Sequence, residues 1–229
     1  MLNEAFEALK EYDWGTDRAP LAPIDDAVAA SHGNAAARKD LEKQLLKWLE
    51  TDISRDAKDY ICRKLSLVGS AESVPPLSKM LGLENHSHMA RFALERIPGS
   101  EATKALADAV SSVSSVLKVG VISSIGTRRD ASSIAALVSS LGSPDALVAK
   151  AAARALGQIG TTEAATALGN AKPSPEVFDA RFTCAEMLLA NNQIEDAKKI
   201  YRSLSLDYQP KLVRLAATRG ILACAAKAT

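Results

Sequence analysis

The sequence predicts an all-α chain folded as a right-handed α-solenoid, a superhelix of stacked helix pairs. Three observations predict it. Apolar residues recur at three- and four-residue spacing along most of the chain, and no stretch alternates in the manner of a strand. A block with an early basic residue and a following apolar helical pattern occurs six times. The core must also be built from Ala, Leu, Val and Ile, because 47% of the 229 residues are hydrophobic but only 4% are aromatic. Such small side chains let neighbouring helices approach closely.

Taken in order, residues 1–51 read as an N-terminal helical cap, with Trp14 and Trp48 as its large apolar anchors. Residues 52–229 read as about six repeats, continuous with the cap in one solenoid. The six blocks centre on Lys58, Arg91, Lys118, Lys150, Arg181 and Arg214, which are 33, 27, 32, 31 and 33 residues apart. A period near 31 fits one helix–turn–helix unit. The first four blocks end in Gly69, Gly99, Gly126 and Gly160, and the fifth in Asn191-Asn192. Gly and Asn are the residues that adopt the left-handed stop of a helix most easily. The second helix of each pair follows that stop, as in the segments starting at Ser73, Glu101, Ser132 and Glu195. Pro75 and Pro76 fall in a first turn, where no N–H is needed. Asp52, Asp145, Glu176 and Asp207 precede or open first helices, where caps and negative charge are favoured. The short step to Lys118, with Ser111, Ser112, Ser114 and Ser115 in place of an acidic turn, predicts a bend. The apolar run Gly220–Ala226 lacks the polar face of a terminal cap, so the sequence predicts that this end is continued, frayed or covered.

Charge and composition narrow the function. Net charge is +1, from 28 basic and 27 acidic residues, without the basic excess of a nucleic-acid binder. The longest uncharged run, Ala131–Pro144, is 14 residues, below the ~18–20 that span a bilayer. No signal peptide opens the chain, and a leader removed ahead of Met1 is left open, as is the compartment. Cys62, Cys184 and Cys224 form no metal-type spacing and sit in apolar helical stretches, as buried thiols do. His86-Ser-His88 places two rings two residues apart, which do not face each other on a helix. His32, beside Gly33, reads as a turn residue. The neighbouring carboxylates Asp25-Asp26 and Glu195-Asp196 diverge on a helix, so they read as solvated or as N-terminal charge rather than as an acid–base pair. Asp130 reads as a turn and N-cap behind an exposed Arg128-Arg129 pair. There is no phosphate loop and no nucleophile elbow. No metal site, no cofactor and no catalytic residue is expected.

The block Asp145-Ala-Leu-Val-Ala-Lys150-Ala-Ala-Ala-Arg-Ala-Leu-Gly157-Gln-Ile-Gly160 resembles the HEAT-like repeat in its short bacterial form, first named from phycobilisome (PBS) lyase proteins. The resemblance covers roughly residues 40–229 as repeats of this armadillo-type fold. The opening Tyr12-Asp-Trp-Gly-Thr-Asp17-Arg18 is similar to that of uncharacterised bacterial HEAT-repeat proteins. The resemblance implies that the helices bearing the basic residues line the concave face, so that Lys58, Arg91, Lys118, Lys150, Arg181 and Arg214 form a ladder along it. Two uses of the ladder are open: to staple each repeat to the next through polar groups such as Asp52, Asn85, Asp145, Glu176 and Asp207, or to contact an acidic partner. Lys118 has no upstream carboxylate and is the ladder residue expected to be free for a ligand. The function expected is a scaffold whose concave face binds another protein, or another domain of a longer chain. The alternatives are a HEAT-like enzyme of the lyase type and a nucleic-acid binder similar to the HEAT-like alkylpurine DNA glycosylases. HEAT-like iron hydroxylases carry His-Glu steps, and this chain has none.

Overall fold

The computed structural model describes residues 1–228. Among these residues there are fourteen α-helices and no strand: α1 (Leu2–Glu7), α2 (Ala22–Ala30), α3 (Ala35–Leu49), α4 (Arg55–Val68), α5 (Val74–Met80), α6 (Glu84–Leu94), α7 (Ser100–Ser112), α8 (Ser115–Arg128), α9 (Ile134–Leu141), α10 (Ala146–Ile159), α11 (Thr162–Asn170), α12 (Pro175–Ala190), α13 (Ile194–Leu204) and α14 (Lys211–Lys227). The six basic residues of the predicted ladder lie one each on α4, α6, α8, α10, α12 and α14. The chain divides into two compact units, residues 1–124 and 125–229, and the division falls inside α8.

In the first unit, first helices pack on first helices (α4 on α6) and second helices on second helices (α5 on α7), the pattern of a stacked array. Ile61, Leu65, Leu77, Met89, Leu94 and Leu106 fill the layer between them. The N-terminal helices add Phe6, Leu9, Leu21 and Ile24 to this core. Trp14 is not an anchor: its side chain is 89% exposed. It sits on a turn closed by the Thr16 hydroxyl, which donates to the Asp13 carbonyl at 2.7 Å and accepts from the Asp13 N–H at 3.1 Å. Trp48 is half-buried, with the Lys10 ammonium 5.5 Å from its ring centroid.

In the second unit, α10 packs on both α9 and α12, and α13 packs between α12 and α14. The α10–α12 contact is close because it is built from small residues. Gly157 faces Ala180, and a Cβ added there would lie 2.7 Å from the Ala180 carbonyl oxygen.

Helix ends follow from short local rules, with some departures from the sequence reading. Asp145 caps α10 by accepting from the Leu147 N–H at 2.9 Å, and Gly160 ends it in the left-handed conformation (φ 66°, ψ 38°). Asn192 is likewise left-handed (φ 62°) after α12. Asp52 and Asp207 are not caps: Ser54 caps α4 and Pro210 precedes α14. Glu176 lies in the first turn of α12 behind the Ser174 cap. Gly69 is extended (φ −65°, ψ 152°), and Gly99 precedes α7 as its N-cap. Gly126 does not stop α8, which runs to Arg128 and turns at Arg129 (φ 56°). Its role is packing, since a Cβ there would lie 2.9 Å from the Ala155 Cα. Arg128 and Arg129 are therefore not an exposed pair: Arg128 is half-buried, and only Arg129 faces solvent.

Candidate functional site

The ladder residues differ in their partners from helix to helix. In the first unit, Ser54 fixes the start of α4 by accepting from the Ala57 N–H at 2.9 Å and donating to the Tyr12 carbonyl at 2.6 Å. Lys58, one turn on, is half-buried and makes no side-chain hydrogen bond or ion pair among the described residues. The link to the next repeat comes instead from Arg55, which donates to the Asn85 carbonyl at 3.2 Å. Burial, together with Lys58 and Arg55, holds the His86 imidazole below its ordinary pKa.

Arg91 reaches from α6 to the middle of α8. Its guanidinium donates to the Gly120 carbonyl at 3.1 Å and to the Ser124 hydroxyl at 3.3 Å. Ser124 in turn donates to Glu95 at 2.6 Å. Gly120 makes room for this, since a Cβ there would lie 2.6 Å from the guanidinium carbon. Burial depresses the Arg91 pKa, and Glu95 opposes that shift. Lys118, on α8, is half-buried and has no hydrogen-bonding or ionic partner for its ammonium among the described residues. Its neighbour Val116 is exposed.

In the second unit every ladder residue is engaged. Lys150 on α10 meets Glu176 on α12 at 3.6 Å. Arg181 on α12 donates to the Ser203 hydroxyl on α13 at 2.6 Å, and burial lowers its pKa. Arg214 on α14 pairs with the fully exposed Asp207 at 3.0 Å. The ladder therefore divides. Arg91, Lys150 and Arg181 link one helix to another, Arg214 is tied to its own upstream turn, and Lys58 and Lys118 are uncommitted.

Three features of this surface escape a reading of the sequence alone. Asp25 is a hub rather than a solvated carboxylate: it receives Arg18 at 2.9 Å, the Tyr60 hydroxyl at 3.0 Å, and Lys64. Burial alone would raise its pKa, but the hydrogen bonds from Lys64, Tyr60 and Arg18 outweigh it and hold the carboxyl below its usual range. Glu42 is buried and accepts from the Ser70 N–H at 2.7 Å and from the Ser73 hydroxyl at 2.5 Å. A cleft of about 420 Å3 is lined by Tyr12, Trp14, Arg18, Asp56, Asp59 and Tyr60. Only the aromatic and acidic composition of residues 12–18 hinted at it. His86 and His88 face different neighbours, and among the described residues no three His, Cys, Asp or Glu side chains converge as metal ligands would. No helix among them is long and apolar enough to cross a membrane.

Residues 103–189 match the HEAT repeats family. The HEAT-like repeats protein of the archaeon Thermococcus onnurineus NA1 is similar in structure, with a TM-score of 0.52 at 13% identity over 100% of this chain and 98% of that one. At this identity the likeness shows the fold alone. Human deoxyhypusine hydroxylase, solved with glycerol, gives a TM-score of 0.44 at 15% identity over 82% of this chain and 96% of that one. An engineered protein gives 0.44 at 20% identity over 96% of this chain and 68% of that one. Scores this low carry no weight for chemistry. No curated protein sequence matches the chain. The family match over residues 103–189 and the archaeal structure agree with the stacked pairs on the fold class: an all-α solenoid similar to HEAT-like repeat proteins.

Proposed function

We propose that this repeat scaffold binds another protein, or another domain of a longer chain, along the face lined by its first helices, the concave face of a HEAT-like solenoid. Within the ladder, Lys58 and Lys118 are the contact residues, while Arg91, Lys150, Arg181 and Arg214 chiefly hold the structure together. The observation that supports this division is the contrast within one register. Equivalent positions on successive first helices carry a cation, yet two of those cations have no hydrogen-bonding or ionic partner among the described residues and are free to meet an acidic group.

The test is site-specific photocrosslinking in the native host. A diazirine lysine analogue at position 58 or 118 is expected to trap one discrete protein. The same analogue at Lys79 on α5 or Lys104 on α7, both exposed second-helix positions, is expected to trap none. Equal yields at all four positions would overturn the proposal, and so would adducts to nucleic acid alone.

A further inference from the structure

Helix α14 is apolar on two opposite faces. One face is packed: Ala217 and Cys224 are buried, and Gly220 lies so close to the Tyr201 ring that a Cβ would collide with it. The other face is uncovered. Leu212, Leu215 and Leu222 are 79%, 54% and 65% exposed, and Ala216 and Ala223 beside them are exposed too. At 100° per residue these five positions fall in an arc of about 120°, spaced like the seam of a two-helix coiled coil. A continuous apolar stripe of this kind marks an interaction surface more often than chance exposure of single residues does.

The charge pattern selects the occupant. Helix α14 carries Lys211, Arg214, Arg219 and Lys227 and no acidic residue. Arg214 is committed to Asp207, and Lys227 donates to the Leu189 carbonyl at 2.6 Å. Lys211 and Arg219 are exposed and make no ion pair among the described residues, and Arg219 lies within the apolar arc itself. A second copy of α14 would bring one all-basic helix against another, so like charges oppose self-pairing. A lipid surface would meet a cation in the middle of the band it has to bury, whereas membrane-surface helices keep their basic residues on the polar face. A helix with a carboxylate in its own apolar seam meets both requirements, because one charged seam position fixes register and partner choice.

We infer that α14 is a docking site for an amphipathic helix of another protein, whose leucine-type seam places a Glu or Asp opposite Arg219. The site lies on a different helix from Lys58 and Lys118, so it stands or falls separately from the ladder face.

The experiment uses the full chain and a labelled synthetic helical peptide with Leu at its seam positions, a single Glu in the seam, and Glu on its flanks. Fluorescence anisotropy is expected to show saturable binding. Arg219→Glu is expected to weaken it by about tenfold or more, which is 1.4 kcal/mol or more. Exchanging the peptide's seam Glu for Lys is expected to restore binding to Arg219→Glu and weaken it for the unaltered chain. Leu215→Glu/Leu222→Glu should abolish binding while circular dichroism stays unchanged. Three results would overturn the inference: indifference to the charge exchange, self-association of the chain that is lost in Leu215→Glu, or co-sedimentation with phosphatidylglycerol vesicles in preference to the peptide.

Discussion

Gly157→Ala sets helix propensity against packing at a close main-chain contact of the second unit. In the last turn of α10, replacing Gly with Ala should favour the helix by at most about 0.8–1 kcal/mol. Against this stands the Cβ, which would lie 2.7 Å from the Ala180 carbonyl oxygen and 3.1 Å from its Cα. Both atoms are backbone of α12, so no rotamer change relieves the contact. The helices must separate by a few tenths of an ångström, and the α10–α12 interface on either side loses contact. Overpacking of this kind costs about 1–3 kcal/mol before any gain in propensity, and here the upper half of that range applies because the obstacle is main chain. The expected net effect is destabilisation by about 1–2 kcal/mol, a fall in Tm of about 3–6 °C. Gly169→Ala, near the end of α11, is the control. Nothing lies within 4 Å of its Cβ, so it should stabilise by about 0.5 kcal/mol. Urea unfolding followed by circular dichroism measures both. If Gly157→Ala proved as stable as the unaltered chain while Gly169→Ala behaved as expected, close α10–α12 packing would not be the reason for the glycine.

Three further outcomes are expected. Glu42→Ala leaves the Ser70 N–H and Ser73 hydroxyl without their buried acceptor and should cost about 2–4 kcal/mol in urea unfolding, with Glu42→Gln costing less. Asp25 has a lowered pKa in the folded chain, so its contribution is complete above the ordinary carboxylate pKa and is lost as pH falls through the lowered one; the stability gap between the unaltered chain and Asp25→Asn should be widest at neutral pH and close in acid melts. Burial pushes the Cys62 thiol up to about 12 and the Cys184 thiol up to about 11, and raises Cys224 as well, so a disulfide reagent should label no thiol quickly in the native chain and all three in urea.

The helices were legible because their signal is local and repeated. Spacings of 27–33 residues between equivalent cations placed every first helix from α4 to α14. What single residues do was less legible, because it depends on neighbours about thirty residues away. Gly69, Gly126 and Gly160 occupy the same place in their blocks, yet one is extended, one allows a close helix contact and one is left-handed. The ladder shows the same limit. Arg214 does find the upstream Asp207, but Arg91 and Lys150 find partners on the following first helix, and Glu176 serves Lys150 rather than Arg181. Trp14 looked like core by size alone, but the Asp13–Thr16 turn holds it outward. Asp25 and Glu42 gave no sequence signal, because each gathers donors from separate segments.

Arg91 is held largely by the main chain of its neighbour, a carbonyl in the middle of α8 reached across the gap left by Gly120. A joint made this way asks little of the side chains on the receiving helix. The exposed residues of α8 could be exchanged and the latch would still close, provided position 120 kept no side chain. Those exposed positions can thus be re-faced for a new partner without loosening the joint.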